Sequence, residues 1–202
     1  MKKIAGIVGA VLFLLLPSSC ASTPKVSRID ASTKTDLSGY WNDTDVRIVC
    51  GTLIDSCLNS AKIDQIRNDK KRTPTVIIGR FKNDSSEHID TEIITINMRN
   101  AIINSGKMEF VAGGDTRNDI RAERQDQLSN ASEATAARLV NETGADFMLT
   151  GSVKTIVDKA GNQTARTYLV TAELTDIETN RIVWSDQNSE IKKVVVQPKN
   201  KL

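Results

Sequence analysis

Lys2 and Lys3 open the chain, and residues 4–16 then form an apolar run of 13, broken only by the small Ala5, Gly6, Gly9 and Ala10. Pro17-Ser18-Ser19 leads into Cys20. A positive start, a short apolar core and small residues before a cut site mark an export signal. The run is shorter than the roughly 20 apolar residues of a spanning helix. The cysteine directly behind the small residues makes this a lipoprotein signal. Its thiol takes the diacylglycerol, and cleavage before it leaves Cys20 as the first mature residue. Pro17 stands where the usual lipobox has Leu, with Leu16 one step further out. The alternative is a plain secreted chain cut near Ser19 or Ala21. Residues 1–19 are therefore read as signal peptide, and only the chain from Cys20 onward has to fold.

Without them 183 residues remain, enough for one domain with a real core. Of the 27 Lys and Arg, two leave with the signal, so 25 basic side chains face 25 acidic ones. That balance argues against a nucleic-acid partner, for which a strongly basic face is expected. Cys50 and Cys57 are seven residues apart in one predicted helix, hence about 10 Å apart along its axis. A disulfide needs Cα atoms within roughly 7 Å. Buried free thiols are expected, with pairing between chains as the other reading.

Residues 20–38 hold the lipidated cysteine and a flexible linker; 21–38 contain seven Ser or Thr. The folded region is expected over 39–193. A helix over 46–60, capped by Asp43 or Asp45, has apolar residues at helical period. Residues 67–72 read as a charged loop, and 75–81 as a strand buried on both faces. A helix over 88–104 comes next, with a stripe of Ile89, Ile93, Ile96 and Ala101, then a short strand over 107–112. Two helices are expected over 118–128 and 130–143. Strands over 146–158, 165–176 and 181–190 are joined by a loop at 158–162 and a tight turn at 176–180, where Asn180 accepts positive φ. The basic tail 194–202 is expected to fray. The order predicts an α/β single domain, a mixed sheet packed by helices.

In the late strands Tyr168, Val170, Ala172 and Leu174 share one face, and Thr171, Glu173 and Thr175 the other. Phe147, Leu149 and Val153 likewise oppose Thr150, Ser152 and Lys154. The polar face is either simply solvated or a docking surface, and Thr150, Lys154, Thr171 and Glu173 are its candidate partner-binding residues. Catalytic signals are weak. His88 is a lone histidine, so a metal site or a His-paired nucleophile has little to build on. Gly113-Gly114 lacks the Lys and Ser or Thr of a phosphate loop. Asp84, Glu87 and Asp90 lack calcium-loop spacing. The reading is a non-enzyme with no metal and no cofactor.

Several segments, in order, resemble one family: Ser38-Gly39-Tyr40-Trp41-Asn42-Asp43-Thr44-Asp45, Asn83-Asp84-Ser85-Ser86-Glu87-His88-Ile89-Asp90-Thr91, Ile120-Arg121-Ala122-Glu123-Arg124-Gln125, Gly144-Ala145-Asp146-Phe147-Met148-Leu149-Thr150-Gly151 and Leu174-Thr175-Asp176-Ile177-Glu178-Thr179. The chain resembles the LpoB-type lipoprotein activators of penicillin-binding proteins over about 38–193. The resemblance implies a fold like the N-terminal domain of TolB and a tether in the outer membrane, facing the periplasm. Ala21 after the lipidated cysteine, rather than Asp, fits that destination. It also implies docking on a bifunctional class A penicillin-binding protein and stimulation of its glycosyltransferase and transpeptidase. The other reading is an envelope assembly or secretion-channel component with a different partner.

Overall fold

A computed structural model describes residues 26–30, 32–130, 132 and 142–198. Residues 34 onward form one compact unit and the residues before them another. Ahead of residue 34, Asp30 accepts from Ser32 and Thr33 in a local turn. Cys20 lies outside the described residues.

The main unit is an α/β domain with a mixed sheet. Helices α1 (Asp43–Leu58) and α2 (Ala61–Lys70) precede strand β1 (Thr75–Asn83). Then come α3 (Thr91–Ser105), β2 (Glu109–Phe110), α4 (Gly114–Asn130), β3 (Phe147–Ala160), β4 (Gln163–Asp176), β5 (Ile182–Asn188) and β6 (Lys192–Val196). Strand order is β2-β1-β3-β4-β5, and β6 pairs with the other half of the long β4. β1 runs parallel to β2 and β3, while the remaining pairs are antiparallel.

Asn42, not Asp43 or Asp45, caps α1. Its side chain accepts from the N–H groups of Thr44 and Asp45, and Asp45 accepts from the Asn42 N–H, a closed capping box. The helix turns Val46, Val49, Cys50, Leu53, Ile54, Cys57 and Leu58 into the core, each aliphatic side chain contributing about 1.5–3 kcal/mol on full burial. α2 overturns the loop expected over 67–72. Ser60 caps it, Ile63 and Ile66 anchor it, and Lys71 at φ 50° ends it.

Three further expectations shift. β1 is not buried on both faces: Val76 and Phe81 are inside, while Ile77 and Ile78 are half-buried and Arg80 and Lys82 exposed. α3 starts after its cap Asp90 and buries Ile94, Met98 and Ile102, leaving Ile93 and Ile96 outward. The helix expected over 118–128 is longer, since α4 begins at Gly114. The helix expected over 130–143 falls largely outside the described residues, and residues 142–143 are not helical.

β3 and β4 form a hairpin in unbroken register from Phe147↔Asp176 to Ala160↔Gln163. Gly161 at φ 57° makes its turn, and Asn180 at φ 58° makes the turn into β5 as the sequence suggests. The tail does not fray at 194: β4 leaves a free edge beyond β5, and Val194, Val195 and Val196 pair along it.

One sheet face carries Val76, Phe147, Leu149, Val153, Tyr168, Val170, Ala172 and Leu174, all buried. α1 packs on α3 and β5, and α3 on β1. The hairpin tip and β6 extend past this core as a three-stranded ribbon.

Candidate docking face and its family

Strand alternation places Thr150, Lys154, Thr171 and Glu173 on the face opposite the core. Thr150 lies opposite Glu173, Ser152 opposite Thr171 and Lys154 opposite Leu169. The Ser152 and Thr171 hydroxyls are 3.0 Å apart, in hydrogen-bond contact. Gly151 lets the strands close here, because a Cβ on it would strike the Phe81 ring and the Thr171 carbonyl.

The β1–β3 register slips between Ile78 and Phe81, which brings Arg80 and Lys82 to the same side. An open depression of about 410 Å³ results, lined by Arg80, Lys82, Asp84, Thr150, Thr171 and Glu173 among others. Three of the four candidates thus share one concavity, and Lys154 sits one pair further along β3. Sequence reasoning misses Arg80, Lys82 and Asp84; their polar alternation along the strand is the available signal.

The opposite side of the ribbon is held by charge. Lys193 Nζ lies 2.7 Å from both Asp36 and Asp45 and donates to the Tyr40 carbonyl at 2.8 Å. Burial would lower the pKa of this ammonium; Asp36 and Asp45 outweigh that and hold it above the ordinary lysine value. The Glu87 carboxylate accepts from the Tyr168 hydroxyl at 2.8 and 2.9 Å and from the Trp41 N–H at 3.3 Å. Arg166 pairs with Glu87 at 3.4 Å and lies 4.4 Å over the Tyr40 ring. Burial, then Glu87, raises the Tyr168 phenol, which stays protonated. The ordered lead-in therefore reaches back to Asp36, upstream of Tyr40.

Neither constellation offers a nucleophile with a base. Among the described residues no three His, Cys, Asp or Glu side chains converge for a metal ion. No described helix is long and apolar enough to cross a membrane. Cys50 and Cys57 are buried and unpaired, and burial pushes both thiols up to about 12.

A family model described as peptidoglycan-synthase activator LpoB matches residues 45–189. The chain belongs to the LpoB family. That match runs from the first turn of α1 through β5. Among solved structures, the LpoB C-terminal domain from Salmonella enterica is 18% identical, covering 76% of this chain and 99% of that one, with a TM-score of 0.43. The corresponding Escherichia coli domain is 17% identical over 76% and 99%, also at 0.43. Lipoprotein GNA1162 from Neisseria meningitidis is 15% identical over 63% and 88%, at 0.37. No curated protein matches the chain. As its description states, the LpoB family is one of activators of a peptidoglycan synthase.

Proposed function

We propose that this chain is an outer-membrane lipoprotein, acylated at Cys20 and facing the periplasm, that docks on a bifunctional class A penicillin-binding protein. Docking through the open sheet face around Thr150, Lys154, Thr171 and Glu173 raises glycosyltransferase turnover and, with it, transpeptidation. The family match over 45–189 carries this reading. An activator that does no chemistry works by binding the active form of its target more tightly than the idle form. A tenfold shift needs about 1.4 kcal/mol of differential binding, which a modest interface supplies. With Cys20 as anchor, the 16 residues to Asp36 span at most about 55 Å, so the domain stays near the outer membrane and meets the synthase there.

Lipid II polymerisation by the cognate synthase, with and without the full-length chain in detergent, tests the activator role. Stimulation is expected, and an unchanged rate refutes it. Labelling with a palmitate analogue tests the anchor separately: Cys20→Ala abolishes the label if the assignment holds, and equal labelling in the mutant removes it.

A further inference from the structure

The ribbon beyond the core exposes apolar side chains that the fold does not use. Ile156, Val194 and Val196 are 59%, 56% and 57% exposed. Register puts them on one face: Thr167 lies opposite both Ile156 and Lys192, and Ala165 opposite Asp158 and Val194. Alternation along β4 adds the half-buried Leu169, opposite Lys154, to that face. Leu169, Ile156, Ala165, Val194 and Val196 thus form a diagonal apolar stripe, of the kind that marks an interaction site when left open.

Its rim is basic. Lys154 and Lys192 flank Ile156, Lys82 stands on the neighbouring strand, and none of the three makes an ion pair among the described residues. Asp158 and Asp84 are the acids beside the stripe, and Glu173 lies beyond Leu169 along β4.

Resting on the activator reading, we infer that this stripe is the energetic centre of the synthase interface, seated against an apolar patch with an acidic rim on the partner. Buried apolar contacts at the middle of an interface carry most of its energy, while the charged rim sets partner choice and encounter rate. A second copy brings lysine rims together when the stripes face each other. A lipid surface is a poorer match, since short β-branched side chains on a flat sheet do not sink into a headgroup layer as an amphipathic helix does.

The test uses the full-length chain and the full-length cognate synthase in detergent. Ile156→Asp and Val194→Asp each weaken the Kd at least tenfold and abolish stimulation, with melting temperatures unchanged. Ile156→Val restores binding. Ile103→Asp, on α3 and 51% exposed, binds as wild type. Wild-type binding that both Asp variants retain overturns the inference while the activator reading stands. Failure of wild type to bind the synthase removes both. A dimer that Ile156→Asp dissolves, or phosphatidylglycerol-vesicle binding by the Cys20→Ala chain that Ile156→Asp abolishes, with synthase binding intact, assigns the stripe to a second copy or to lipid and likewise overturns it.

Discussion

Asp146 ties the start of β1, the end of α2 and the start of β3 together through one carboxylate. Its side chain is 10% exposed. It accepts from Arg72 at 2.6 and 2.8 Å, from Lys70 at 3.0 Å and from the Thr75 N–H at 2.9 Å. The Thr75 hydroxyl lies 3.0 Å from it, with the Gly144 carbonyl as its other acceptor. Burial alone would raise its pKa; Arg72, the Thr75 N–H, Lys70 and the Thr75 hydroxyl together hold it well below the ordinary carboxylate range. Asp146→Asn keeps the shape and removes the charge. Bonds to a charged acceptor are worth about 1.5–3 kcal/mol each, but Arg72 is half exposed and screened. Asn also retains one acceptor toward Thr75, so the expected loss is about 2–3 kcal/mol. For a domain of this size that is a fall in Tm of roughly 4–12 °C.

The sign with pH comes from the direction of the shift. A group whose folded pKa is depressed contributes stability above its unfolded value, about 3.9, and loses it as pH falls toward the folded one. Urea unfolding of wild type and Asp146→Asn at pH 7 and pH 2.5 gives the assay. The gap between them is full at pH 7 and shrinks on acidification. A gap under about 0.5 kcal/mol at pH 7, below the weakest bond to a charged acceptor, or one that acid leaves untouched, refutes the reasoning.

Thiol-reactive dye at pH 8 labels neither Cys50 nor Cys57 in the native chain, both being buried with thiols pushed up to about 12, and both label in denaturant; fast native labelling sinks this. Gly151→Ala destabilises by about 2–3 kcal/mol, since the new methyl meets the Phe81 ring and the Thr171 carbonyl, whereas Gly51→Ala in α1, with open space around it, stabilises by about 0.5–1 kcal/mol; equal effects in denaturant melts contradict the packing argument. Thr155 Oγ1 is buried without a hydrogen-bond partner, so Thr155→Val leaves the melting temperature unchanged or raises it, and a clear fall shows a partner that the structure lacks.

The β3–β4–β5 meander was legible because alternation of aliphatic and hydroxyl residues is a two-residue signal that needs no partner to read. α3 was legible as a helix but not in phase. Ile93, Ile94, Ile96, Ile102 and Ile103 spread around its circumference, and only the sheet beneath selects Ile94, Met98 and Ile102. α2 was hidden because two apolar residues in a polar ten-residue helix give little period to detect. β6 was hidden for a different reason: Lys-Lys-Val-Val-Val becomes a strand through the free half of β4, a long-range fact. The same holds for the candidate docking face. Thr150, Thr171 and Glu173 came from alternation, while Arg80 and Lys82 depend on a register slip between β1 and β3.

The ribbon reverses the usual arrangement, with ions enclosed on one side and aliphatic residues open on the other. Lys193 and Asp45 are 9% and 4% exposed, and enclosed ion pairs of this kind add little net stability against an apolar replacement, although breaking one partner costs about 3–5 kcal/mol. What they fix is position. Asp36 is held at Lys193, and Gly39 lies so close to Val195 and Arg166 that a Cβ there would strike Val195. Lys193, Val195 and Arg166 all point to the side away from Ile156 and Val194, because Lys193 and Val195 alternate with Val194 along β6 and Arg166 alternates along β4 with Thr167, the partner of Ile156. The segment from Asp36 to Gly39 that leads into α1 is therefore bound to the reverse of the ribbon. A partner seated on the apolar stripe and the chain segment entering from Asp36 to Gly39 use opposite faces, and neither has to displace the other.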